Sequence, residues 1–263
     1  MKNSSLICVD IGNSNIDIGI VKDDKFIDKY FFDTKKGTDT EEYYRKKINK
    51  IKQLINKYKI YEKIDGIVLS SVVPELNKVF NNLFVELFKK KITFVDQNKI
   101  NIKIKYNNPK TLGTDRIINI LAAKEIYGYP SLVIDFGSAT TFNCIDKSGC
   151  FIGGIIIPGI NTWLKSLNYY TSKLPLINLK NLKSIPNIIG QSTQECIKSG
   201  IFFGYIELIN ILKNKIIKKI GYTTKTIITG GMAKIIFNNL NKVDIFDKDL
   251  TLKGLKIYWQ QLN

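Results

Sequence analysis

Apolar and polar positions alternate from the start of the chain, and the alternation outlines a hairpin. Leu6, Ile7 and Val9 lead into Asp10, and Ile16, Ile18 and Ile20 follow with period two, which predicts strand, tight loop, strand. A third strand is expected over Lys25 to Asp33. Gly37-Thr38-Asp39-Thr40 then offers turn and N-cap residues for a helix whose apolar stripe is Tyr44, Ile48, Ile51, Leu54 and Tyr58. Gly66 to Ser71 reads as a short buried strand ending in small polar residues. Pro74 opens a helix through Phe88, since proline is tolerated in a first turn, and Ile92 to Val95 closes the first half.

The pattern continues beyond the middle of the chain. Gly113 and Thr114 break the chain direction and cap a helix from about Asp115 through Ile126, with Ile117, Ile118, Leu121 and Ala122 inward. Ser131 to Ile134 is an entry strand, Asp135 to Thr140 a loop, and Thr141 to Ile145 an exit strand. Phe151 to Gly159 is a strand whose paired glycines, Gly153 and Gly154, admit a close backbone or ligand, and Pro158-Gly159 turns into a helix containing Trp163 and Leu167. Leu174 to Ile189 has no clear period and is expected to be a mobile loop. Gly190-Gln191-Ser192-Thr193 caps a long helix with Ile197, Ile201, Tyr205, Leu208, Leu212 and Ile216 on one stripe, and Gly200 and Gly204 would let a neighbouring element pack closely. Thr226 to Gly231 is a strand ending in a glycine turn before another helix. Leu250 to Tyr258 finishes as a short helix.

A shift of 125 positions places Asp10 on Asp135, Gly12 on Gly137, Lys22 on Lys147, Phe26 on Phe151 and Ile27 on Ile152 without a gap. A duplicated strand-loop-strand with an acid at each turn implies two related halves facing each other across a cleft. In the first copy, Gly12 and Asn13 tolerate positive φ, and with Ser14 they can aim N–H groups and a hydroxyl at a phosphate. Asp10 would repel a bare phosphate, so a cation is expected between them, which points to metal-bound nucleotide. The plain alternative is a β-hairpin with a polar turn. Asp115 and Arg116 fall in a first helical turn, where free N–H groups can hold an anion, or where the pair is only a capping acid with a surface arginine.

The 263 residues, 44% of them hydrophobic, suffice for one large core or two modest ones. A net charge of +17 raises nucleic acid as a partner, yet the basic residues are mostly Lys interleaved with Asn and Ile, and no nucleic-acid partner is expected. The absence of histidine excludes Ser-His-Asp and Cys-His nucleophile systems and His-ligated zinc, so a general base must come from a carboxylate before Lys, Tyr or Cys. Cys8, Cys144, Cys150 and Cys196 form no C-x-x-C pair, and Cys8 and Cys144 are expected to be buried packing residues. No run reaches membrane-span length and the amino terminus is too short for a signal peptide. A cytoplasmic, reduced setting without membrane association is expected.

Five motifs in order, Asp10-x-Gly12-Asn13-Ser14, Gly113-x-Asp115-Arg116, Asp135-x-Gly137-Ser138-Ala139-x-Thr141, Gly153-Gly154-x-Ile156-x-Pro158-Gly159 and Thr229-Gly230-Gly231, resemble those of type III pantothenate kinases. The resemblance extends through Gly190-x-x-Thr193 and Leu250-Thr251-Leu252-x-Gly254-Leu255. It implies an α/β chain with the duplicated ribonuclease-H-like architecture of acetate and sugar kinases, Hsp70 and actin, divided into lobes 1–112 and 113–263, and a homodimer. The implied reaction is ATP-dependent phosphorylation of pantothenate to 4'-phosphopantothenate in coenzyme A biosynthesis.

The resemblance further implies a nucleotide loop of Asp10, Ile11, Gly12, Asn13, Ser14, Asn15, Ile16 and Asp17, with Asp10 near magnesium and holding it indirectly. Asp115 corresponds to the proton acceptor. Gly113, Thr114, Asp115, Arg116, Tyr106 and Thr193 correspond to pantothenate contacts, and whether Thr193 acts within its own subunit or across the dimer is left open by the resemblance. Ser138 takes the place of a nucleotide-contacting threonine, and Asp135 that of the ligand of a monovalent cation, K+ or NH4+. Ser14 and Ser138 stand where threonine is usual, keeping the hydroxyl and losing a methyl. A non-catalytic regulatory relative and an actin-like assembly protein are the rival expectations. The first has no need of all four of Asp10, Asp115, Arg116 and Asp135, and the chain is short for the second.

Overall fold

The computed structural model describes residues 5–37, 39–58, 60, 64–177 and 185–263. Thr38 of the expected helix cap and residues 178–184 of the expected mobile loop lie outside the described residues. The chain divides into two compact units, one formed by Met1–Asn101, Asn108–Ala122 and Asp249–Asn263, the other by Ile102–Asn107 and Ala123–Lys248. This differs from a single cut between residues 112 and 113. The start of the middle helix and the whole terminal helix pack with the first sheet.

That sheet has the order β3-β2-β1-β4-β5, from β1 (Ser5–Ile11), β2 (Asn15–Lys22), β3 (Lys25–Asp33), β4 (Ile64–Ser71) and β5 (Ile92–Phe94). The first three strands are antiparallel, and β4 and β5 join β1 in parallel. Ile7, Val9 and Ile11 share a core with α1 (Thr40–Lys57) and α2 (Pro74–Phe88), through Tyr44, Ile48, Leu76, Phe80 and Phe84. The buried stripe of α1 is Tyr44, Ile48, Ile51 and Ile55. Ile55 therefore takes the place expected of Leu54, and Tyr58 lies beyond the helix with its hydroxyl donating to Asp28 Oδ2 at 3.1 Å. Asp39 stands at the N-cap without a side-chain cap bond.

The alternation along β1 sends Cys8 and Asp10 to the opposite face. There α7 (Leu250–Leu262) and the start of α3 (Thr114–Tyr127) lie close because two positions have no side chain. A Cβ on Gly66 would sit 2.0 Å from the Trp259 ring, and one on Gly254 would sit 2.4 Å from the Ile118 carbonyl oxygen. Thr251 Oγ1 donates to Asn119 Oδ1 at 2.8 Å, joining the same two helices through a buried asparagine.

The second sheet has the order β10-β9-β6-β7-β8, from β6 (Ser131–Phe136), β7 (Ala139–Ile145), β8 (Phe151–Pro158), β9 (Lys225–Thr229) and β10 (Ile245–Phe246). Read from β8, this is the connectivity of the first sheet again, two antiparallel steps and then two parallel ones. The duplication expected from the sequence is thus present in the topology. It carries one slip: Asp10 pairs with Asp17, whereas Asp135 pairs with Thr141, 124 positions beyond Asp17, so the second loop is one residue shorter than an ungapped shift requires.

Leu132, Ile134 and Phe136 form this unit's core with α4 (Ile160–Tyr169) and α5 (Thr193–Ile220). The buried stripe of α5 runs Ile197, Ile201, Phe202, Tyr205, Ile206 and Ile209, while Leu208, Leu212 and Ile216 sit half-buried at its margin. Ser192 caps the helix, its hydroxyl accepting from the Glu195 N–H at 3.3 Å. Among the described residues none packs on Gly200 or Gly204, since a Cβ on either meets nothing within 4 Å. A short helix, α6 (Ala233–Ile236), follows β9. Cys8, Cys144 and Cys150 are buried free thiols and Cys196 is exposed.

The α7 contact gives a first prediction. Gly254→Ala would ordinarily favour a helix interior, but here the methyl collides with the α3 backbone, so the variant should lose about 1–3 kcal/mol of stability in urea denaturation. Unchanged stability would show that α7 is not seated on α3.

Candidate active site

In the first unit, the hairpin register puts Asp10 opposite Asp17 on β2 and beside Ser70 on β4. The loop between the strands is closed by the Gly12 N–H donating to Asn15 O at 2.9 Å. Asn13 and Ser14 are exposed at its tip, Gly12 and Asn15 are half-buried, and Ile11 and Ile16 are buried anchors. Neither Gly12 nor Asn13 uses the positive φ that each tolerates. A Cβ on Gly12 would lie 3.1 Å from Asn15 O.

The helix start expected at Gly113 to Arg116 belongs to the same unit, and hydroxyls hold it. Ser70 Oγ, fully buried, lies 3.1 Å from Thr114 Oγ1, and Thr114 Oγ1 also lies 3.1 Å from Ser71 O, to which it donates. The Val72 N–H donates to Ile11 O at 3.0 Å, so the chain leaving β4 stays with the end of β1. Asp115 follows on the first turn of α3, its Oδ1 accepting from the Arg116 N–H at 2.7 Å. Gly113 sits against this carboxylate, where a Cβ would be 2.5 Å from Oδ1. Arg116 is only 7% exposed, which removes the reading of a surface arginine beside a cap.

Burial raises the Asp115 carboxyl above the ordinary carboxylate range, and the Arg116 amide and guanidinium pull part of that shift back. Asp17 is pushed up to about 6, chiefly by burial, with the charge of Asp249 adding to it. Asp249 in turn holds Lys29 at 2.5 Å. Sequence reasoning missed both Ser70 and Asp249. The small polar end of β4 was a signal for the first, while Asp249 is far away in the chain and had none.

In the second unit, Asp135 stands one residue before the end of β6, beside Thr229 of β9. The following Gly230, with φ +97°, packs closely against this strand end, where a Cβ would lie 2.5 Å from Asp135 Oδ1. The Gly137 N–H donates to Ala139 O at 3.2 Å, the counterpart of the Gly12 closure. Ser138 is half-buried and its carbonyl accepts from the Gly159 N–H at 3.0 Å and from Thr162 Oγ1 at 2.6 Å, which fixes this loop to the start of α4. Tyr106 packs its ring 5.8 Å from that of Phe151, within 4 Å of a Cβ built on Gly153. Its strand-edge neighbour Lys105 donates to Phe151 O at 2.8 Å. Thr193 is exposed at the first position of α5.

The model of the family described as type III pantothenate kinase matches residues 6–215. This chain belongs to that family. A type III pantothenate kinase of Halalkalibacterium halodurans is 33% identical over 258 residues, covering 97% of this chain and 99% of the relative. Among solved structures, a Campylobacter jejuni protein named for the Baf family of transcriptional activators superposes with a TM-score of 0.60 at 22% identity, covering 97% of this chain and 98% of its own. MreB5 of Spiroplasma citri, solved with ADP, superposes with a TM-score of 0.52 at 14% identity over 98% and 97% of the two chains. These likenesses carry the fold, the duplicated ribonuclease-H-like architecture that type III pantothenate kinases share with actin-like proteins and sugar kinases.

The raised Asp17 carboxyl has a checkable consequence. A carboxyl whose folded pKa lies above its unfolded value destabilises the fold in its charged form. That cost is fully present above about pH 6 and disappears as pH falls toward about 4. Asp17→Asn should therefore add about 1–2 kcal/mol of stability near pH 7.5, after allowance for partial solvent screening, and nothing near pH 4. An equal gain at both pH values would mean that the side chain's charge is not the cause.

Proposed function

We propose that this chain performs its family's reaction, transfer of the γ-phosphoryl group of ATP to the hydroxyl of pantothenate, with Asp115 as proton acceptor. The observation that carries the reading is the seating of Asp115. It is a sheltered carboxylate at a helix start, fastened by Ser70 and Thr114 beside the strand end that holds Asp10 and its loop. In the reaction the hydroxyl oxygen bonds to the γ-phosphorus, the bond from that phosphorus to the bridging oxygen breaks, ADP leaves, and the hydroxyl proton passes to Asp115. Phosphoryl transfer passes through a loose transition state, so alignment and charge neutralisation supply most of the acceleration. Burial helps Asp115 as a base, because a carboxyl raised above its usual range holds the transferred proton better.

Arg116 is assigned to the pantothenate carboxylate, for which a guanidinium offers a two-pronged match. Gly113, Thr114, Tyr106 and Thr193 are the remaining pantothenate contacts in this reading. The loop from Asp10 to Asp17 and Ser138 are assigned to the nucleotide. Among the described residues no group of three or more Asp, Glu or Cys side chains could hold a metal ion. In this reading magnesium is bound through the nucleotide phosphates, with Asp10 acting on it indirectly. The carboxylate of Asp135, half-buried near the end of its strand, is assigned to a monovalent cation, K+ or NH4+. Such ions supply positive charge at the phosphates. The reading also takes the setting as cytoplasmic. No described helix is long and apolar enough to cross a membrane.

A homodimer belongs to the same proposal. Ile156, Tyr169, Tyr170, Ile188 and Ile189 are between 58% and 81% exposed in the second unit, an apolar display that a second copy would cover. The open helix face at Gly200 and Gly204 would admit a partner closely.

Two experiments test the proposal. In a coupled assay with ATP, magnesium, potassium and pantothenate, Asp115→Asn should keep the fold and lower kcat by about 10²–10⁴. Unchanged turnover would remove Asp115 from the chemistry, and activity persisting in sodium alone would remove the cation from Asp135. In sedimentation at micromolar concentration the chain should run as a dimer, and Gly204→Arg should convert it to monomer. A wild-type monomer would end the dimer reading.

A further inference from the structure

The segment after β3 is fixed over the loop of the first hairpin by two sets of bonds. The Thr34 N–H donates to Ser14 O at 2.9 Å and Thr34 Oγ1 donates to Gly12 O at 2.7 Å. One residue on, the hydroxyl of Tyr44 accepts from the Lys35 N–H at 2.8 Å and donates to Lys35 O at 2.8 Å. Tyr44 is itself fully buried, its ring centroid 4.9 Å from that of Phe80. Lys36 therefore projects from a pinned backbone. Its Nζ donates to Asn13 Oδ1, at the tip of the loop, at 3.1 Å.

The charge around that tip calls for a cation. Between residues 10 and 17 the loop carries two acids and no basic residue, and a nucleoside triphosphate would add several more negative charges. Lys36 also faces Glu75, whose carboxylate lies 3.8 Å from Nζ in a solvent-exposed pair. A pair of that kind holds weakly. An ammonium has three donors on a flexible stem, so it can keep Asn13 and still turn toward an anion.

We propose that Lys36 is a ligand of the nucleotide's terminal phosphates, supplied to the loop from outside it. The proposal rests on the reading of the Asp10 to Asp17 loop as a nucleotide site. It differs from a bracing role for Lys36, in which the Asn13 contact would be the whole of its contribution. Substitutions separate the two, because Lys36→Gln retains a donor for Asn13 and removes the charge, Lys36→Arg retains the charge, and Lys36→Met removes both.

The measurements are KM for MgATP at saturating pantothenate, kcat, and MgADP affinity by calorimetry. The expected result is that Gln and Met each raise KM for MgATP and weaken MgADP by about tenfold, with kcat within about threefold, while Arg stays within about twofold of wild type. Wild-type values for Lys36→Gln, with Met alone impaired, would assign Lys36 to bracing and overturn the proposal. So would a loss confined to kcat. A wild type that binds no MgADP and no MgATP would instead overturn the nucleotide reading of the loop, and the proposal with it.

Discussion

The hydroxyl pair Ser70 and Thr114 fastens the first turn of α3 to the end of β4, and the arrangement around Asp115 depends on that fastening. The register of β1 against β4 sets Ser70 beside Asp10, so whatever is bonded to Ser70 is positioned relative to the first loop. A helix start is where a carboxylate gains from the dipole and from free N–H groups, and burial works against that gain. At Asp115 burial dominates, and the result is an acid raised above its ordinary range yet oriented by its neighbour's amide. Ser70 is fully buried, so its hydroxyl must find its partner inside the protein.

The same face of the sheet concentrates negative charge. Asp10 and Asp17 oppose each other across the hairpin, and Asp249 adds its charge to Asp17 from the loop that leads into α7. Lys29 answers Asp249 directly. The chain's net +17 does little for the rest, because charges spread over solvated side chains are screened over distances of about 10 Å. In the proposed reaction such a site would be completed by cations brought to it. The terminal phosphates of a nucleotide could not approach Asp10 without one.

Much of this was legible in the residue pattern because strand and helix periods are local. The two hairpins, the helix starts at Pro74, Thr114 and Thr193, and the internal duplication all follow from alternation and turn chemistry over a few residues. What escaped was set by tertiary packing. Ile55 displaced Leu54 from the α1 stripe because the direction of the core, rather than spacing alone, chooses between adjacent apolar residues. Lys213 on α5, fully buried with its Nζ 3.4 Å from Lys242 O, is a position that charge alone would assign to the surface. The return of α7 to the first sheet required the missing side chains of Gly66 and Gly254, whose meaning emerges only when their neighbours are known. Tyr44 counted as a core residue in the pattern, and its second role, gripping the Lys35 backbone, depends on where β3 ends.

The residues at the two strand ends, more than the slip between the repeats, bear on why duplicated loops would serve different ions. An ungapped copy would set Asp135 against Phe142, the residue 125 positions beyond Asp17. With the second loop one residue shorter, Asp135 faces Thr141, where Asp10 faces a second acid. The first loop thus presents two carboxylates, enough negative charge to favour a divalent cation carried by phosphate, and the second presents one carboxylate and a hydroxyl. In the proposed reaction a single carboxylate would suit a monovalent ion and leave a divalent one under-neutralised. The one-residue slip sets the Thr141 hydroxyl rather than the Phe142 ring opposite Asp135, and neither register supplies a second acid, so the charge environments of the two strand ends differ through the residues themselves.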